Sequence, residues 1–159
     1  MIIASICVVH ELDLHIFFDG RKAEQTRRDR EDDVNKLLGF FQTCKTNNEY
    51  FYWNIDLDPD TNKLRNVFWS HASQRANCKD FGDVITFDTT AKTNRQLMPL
   101  AMFVRSNNNL KNVTFGQALL RDETTASFTW LFKTFKDCMG GHQPFVMLTG
   151  NWLNHISVW

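Results

Sequence analysis

Between Asp83 and Thr149 the hydrophobic period switches from two residues to 3.6 and back, and this switch limits the chain to a few folds. Asp83–Ala91 (DVITFDTTA), Leu97–Val104 (LMPLAMFV) and Val113–Leu120 (VTFGQALL) are apolar runs of strand length. The short polar connections TNRQ and SNNNLKN join them, which predicts an antiparallel meander of three strands. Pro99 has no N–H for a sheet ladder, so it predicts an irregular or edge position for the second strand. Phe128, Leu131, Phe132 and Phe135 then recur at i, i+3, i+4 and i+7, the spacing of one helix face. Asp122 or Thr124 is placed to cap that helix, Glu123 suits its positive N-terminal end, and Gly140-Gly141 stops it. Phe145–Thr149 (FVMLT) follows as a strand, and the helical crossover makes it parallel to the first. The predicted order is β-β-β-α-β.

Three elements precede this core. Residues 19–33 form a dense charged stretch with both signs mixed, including Arg27, Arg28 and Arg30 beside Asp29, Glu31, Asp32 and Asp33. A solvated helix or linker suits it better than a nucleic-acid arm. Val34, Leu37, Leu38 and Phe41 place an apolar stripe on a helix running to about Thr43. Phe51, Trp53, Ile55 and Leu57 alternate with polar neighbours, Pro59-Asp60-Thr61-Asn62 supplies a turn, and Leu64–Trp69 returns, predicting a β-hairpin. Ala72–Lys79 reads as a short helix. Near the N-terminus, Ile2–Val9 is an apolar run too short to span a bilayer and without the basic start of a signal peptide, so it reads as a buried strand.

Composition narrows the function classes. Eighteen Lys and Arg balance eighteen Asp and Glu, which argues against a strongly basic nucleic-acid-binding domain. Cys7, Cys44, Cys78 and Cys138 are scattered, with no CxxC pair, so neither a disulfide framework nor a structural zinc site is expected and a reducing compartment fits. Cys138 and His142 have ligand-like spacing, yet no second pair accompanies them; a buried thiol at a helix end is the expectation. Asp56, Asp58 and Asp60 imitate the opening of a calcium loop. Thr61 stands where the sharp turn needs Gly, and Val67 where a bidentate Glu is required, so that reading fails.

Four segments carry a resemblance to a known family: KLRNVFW (63–69), FGDVITFDTT (81–90), MPLAMFV (98–104) and DETTASFTWLFKTF (122–135). Together they are similar to the plant far-red-impaired-response and far-red-elongated-hypocotyl group, which derives from Mutator-like element transposases. The likeness is collinear from about Val34 to Thr149. Members of that group combine an N-terminal zinc-binding DNA-recognition domain, a central transposase-like domain and a C-terminal SWIM zinc finger, and act as nuclear transcription regulators. Only the front of the central domain is matched here. The resemblance therefore implies an incomplete ribonuclease H-like domain, of mixed α+β and α/β class, preceded by a helix, a hairpin and a short helix. It divides the chain into a charged segment (1–33), the helix and hairpin (34–82), a truncated core (83–149) and an unrelated tail (150–159).

In active relatives of such transposases, an Asp ending the first core strand, an Asp ending the fourth and a later Glu bind two divalent cations, Mg²⁺ or Mn²⁺, for phosphoryl transfer. Asp88 in FDTT matches the first. The second is expected after Leu148-Thr149, where this chain has Gly150, and Asn151 beyond it offers only a neutral carbonyl. The third would lie past residue 159. Asp122 and Glu123 follow a strand two positions from Asp88, about 10 Å at the usual strand spacing, too far to share a metal. The resemblance thus implies a vestigial Asp88, no catalysis and no bound metal or zinc. Trp69 and Trp130 have the chemistry for base stacking, but each sits among core residues, and packing is the expectation.

The implied function is that of a fragment of a transposase-derived nuclear regulator acting through protein contacts, with family homologues or other transcription regulators as partners, no DNA binding of its own and no membrane. The competing readings are a piece of a metal-dependent DNA transposase and a truncated gene product without function. A sheet lacking its later strands and helices would expose an apolar edge, predicting marginal stability or self-association. Codons for Gly150-Asn151 of the form GGT-AAY contain a splice-donor-like GTAA. Sequencing transcripts across codon 150 is expected to reveal a spliced form that leaves NWLNHISVW behind as intron; a continuous transcript with no intron refutes this.

Overall fold

The computed structural model describes residues 27–90, 98–106 and 112–149. Helix α1 spans Arg27–Asn47, followed by strands β1 (Tyr52–Leu57) and β2 (Leu64–Ser70) and helix α2 (Ala72–Phe81). Strands β3 (Val84–Thr90), β4 (Leu100–Ser106) and β5 (Asn112–Leu120) come next, then helix α3 (Thr125–Cys138) and strand β6 (Val146–Thr149). The predicted run at Ile2–Val9 and the tail at 150–159 lie outside the described residues.

The strands form one sheet in the order β1-β2-β5-β4-β3-β6. All pairings are antiparallel except β3 with β6, which is parallel, as a helical crossover requires. Mixed α/β architecture and the β-β-β-α-β core agree with the sequence. The hairpin joins the core directly, because β2 pairs with β5 from Asn66 opposite Leu120 to Trp69 opposite Gln117. One expectation about Pro99 fails. β4 is an interior strand, and Pro99 stands just before it, where its missing N–H costs nothing and its carbonyl accepts from Leu120 N at 3.0 Å. The strand accordingly starts three residues later than its apolar run. α1 also continues four residues past Thr43.

Strand alternation sends successive side chains to opposite faces, and each face has its own core. On one face α3 buries Phe128, Leu131, Phe132 and Phe135 against Phe68, Ile85, Phe87, Phe103 and Phe115. Phe135 stacks on Phe103 with ring centroids 3.9 Å apart and planes at 15°, and Phe68 meets both edge-on. The other face carries Val67, Trp69 and Leu119, which alternate with those residues and lie under Leu37 and Phe41 of α1. Phe41 is fully buried, its ring 5.6 Å from Trp69 and 5.8 Å from both Phe51 and Trp53. The predicted α1 stripe is therefore its packing face.

Thr124 caps α3 by accepting from Ser127 N at 3.3 Å. At the other end Gly140 and Gly141 take φ of 66° and 86°, left-handed values that end the helix without a Cβ penalty. Gly116 is needed for a different reason: a Cβ there would lie 2.7 Å from the Phe68 ring, which is itself held between Phe103 and Phe135. Gly116→Ala is expected to destabilise the fold by about 1–3 kcal/mol, as overpacking in a filled core does. A lowered urea midpoint at unchanged slope would register it, and an unchanged midpoint would show that the ring can yield.

Candidate functional site

Asp88 lies in β3, one residue past buried Phe87, so alternation turns it away from the α3 core and leaves it exposed. Thr86 and Val84 share that exposed face. Opposite Asp88 across the β4 ladder is Met102, and on the β6 side the last described pair is Phe87 with Thr149. The topology thus puts the end of β6 beside Asp88, where the two-carboxylate expectation wants an acid, and the residue that follows Thr149 is Gly150.

Asp122 and Asp58 have other duties. Asp122 Oδ1 accepts from Thr124 Oγ1 and Ser127 Oγ, each at 2.7 Å, and from Thr124 N at 3.3 Å. These bonds from Ser127 and Thr124 hold its carboxyl below the usual range. It buttresses the cap residue. β4 stands between β5 and β3, so Asp122 and Glu123 follow a strand that is not adjacent to Asp88. Asp58 Oδ1 accepts from Thr61 Oγ1 at 2.8 Å, Thr61 N at 3.0 Å and Asp60 N at 3.2 Å, closing the hairpin turn whose Asn62 has φ 53°. Its Oδ2 lies 3.3 Å from Arg121 Nη1. Among the described residues, no group of three or more His, Cys, Asp or Glu is placed to hold a metal ion. A two-cation centre does not fit this donor set.

Other predicted candidates are absorbed by packing. Trp69 is 2% exposed and offers no face to a base. Trp130 is half-buried against the α3 core. Burial pushes the Cys138 thiol up to about 11 even though Arg75 and Ser70 oppose the shift, and it pushes Cys78 up to about 12. The His142 ring reaches a site where its Nε2 is buried without a partner among the described residues.

Two polar residues escaped the sequence reading. Asn66 is fully buried; its Nδ2 donates to Asp56 Oδ2 at 2.8 Å and its Oδ1 accepts from Arg121 N at 3.2 Å, tying β1, β2 and the end of β5 together. Arg75 donates from Nε to the Cys138 carbonyl and from Nη1 to the Tyr50 carbonyl, both at 2.9 Å, with its guanidinium 5.8 Å from the Tyr52 ring centre. Only the polarity of Asn66 within LRNVFWS hinted at the first, and nothing local hinted at the second.

The geometry can be set beside known proteins. A family model described as the RNaseH-like domain of zinc finger SWIM domain-containing protein 1/3 matches residues 39–156. FAR-RED IMPAIRED RESPONSE 1 of Arabidopsis thaliana is 40% identical over 119 residues, covering 75% of this chain and 14% of that protein. The chain belongs to the FAR1-related family. FAR1-RELATED SEQUENCE 4 of the same plant is 34% identical over 145 residues, 88% of the chain and 19% of the relative, and FAR1-RELATED SEQUENCE 11 is 36% identical over 121 residues, 76% and 18%. The chain therefore spans less than a fifth of the length of these three FAR1-related proteins. No solved structure matches it. Among the described residues no helix is long and apolar enough to cross a membrane.

The role of Asp122 predicts a pH signature. Its folded-state pKa is depressed, so its stabilisation is present above the unfolded value of about 3.9 and disappears as pH falls through the lower folded value. Asp122→Ala is expected to lower the melting temperature at pH 7, by a modest amount because the group is largely solvated, with the gap to wild type closing as pH falls below the usual carboxylate range. A gap independent of pH would mean that packing rather than charge carries the effect.

Proposed function

We propose that this chain is part of a transposase-derived plant transcription regulator, located in the nucleus, whose RNaseH-like sheet acts as a protein-contact scaffold and transfers no phosphoryl groups. Family membership supports the regulator reading. One observation supports the loss of chemistry: Asp88 has Met102 across one ladder, while the β6 strand beside it runs from Thr149 into Gly150. Binding two cations needs several oxygen donors to offset the repulsion between the ions, and one carboxylate does not supply them. What remains is a folded sheet with a helix packed on each face, which serves as a scaffold for contacts made by its exposed parts.

The test is plasmid nicking in Mg²⁺ and in Mn²⁺ by the full 159-residue chain and by Asp88→Ala. Both are expected to match a no-protein control. Metal-dependent nicking that Asp88→Ala abolishes would overturn the reading and favour a working transposase fragment. A fluorescently tagged chain expressed in plant cells is expected to accumulate in the nucleus, and exclusion from it would remove the regulator half of the proposal.

A further inference from the structure

We draw no further inference here: the strongest candidate, the exposed apolar patch of Val84, Val146 and Leu148 on the sheet face that α1 leaves uncovered, carries none because nothing in the structure shows what covers it.

Discussion

The stack of Phe135 on Phe103, with Phe68 edge-on to both, is the contact on which the rest of the fold depends. It connects α3 to β4 and, through Phe68, to β2 of the hairpin, so one aromatic cluster joins the N-terminal hairpin to the C-terminal half. Gly116 of β5 makes room for it. Offset aromatic pairs add about 0.5–1.5 kcal/mol each beyond the area they bury, and here the pairs share rings, so losing one ring loosens several elements together. α1 repeats the device on the other face, where Phe41 touches Phe51, Trp53 and Trp69.

This packing decides where function can reside. Because Phe87 must face α3, Asp88 must face away from it, and α1 buries its stripe on β1, β2 and β5 instead of β3. The half of that face nearest β6 is consequently exposed at Val84, Thr86 and Asp88. Site and sheet edge become neighbours for topological reasons: the α3 crossover delivers β6 parallel to β3, at the end where Asp88 stands.

Much of this was legible in the sequence because periodicity carries the largest energy. The i, i+4 spacing of Phe128 and Phe132, the alternation from Phe51 to Leu57 and the glycines after Cys138 each report a local rule that tertiary packing then reinforces. The rule at Pro99 also holds, but the apolar run is not strand throughout: the ladder starts after the proline. The junction of β2 with β5 was not readable, since paired residues 48 to 54 apart in sequence leave no local trace of their pairing. The same holds for Arg75, whose partners Tyr50 and Cys138 lie 25 and 63 residues away. For the site, Asp88 and the glycine at 150 were visible as residue types, and the duty of Asp122 was visible as a cap; the exact bonds that occupy Asp122 required the fold.

Dispersing the acids has an energetic consequence of its own. A two-cation centre gathers carboxylates within a few ångströms, and without metal their mutual repulsion opposes folding, with part of it relieved by protonation. Among the described residues, three carboxylates are individually occupied: Asp58 in a turn with Arg121, Asp56 with Asn66 and Arg65, Asp122 beneath a helix cap. Each stabilises a local element. Asp88, opposite Met102, stands exposed on the sheet. The described part of the sheet arranged this way carries little of the carboxylate repulsion that opposes folding at a two-cation centre.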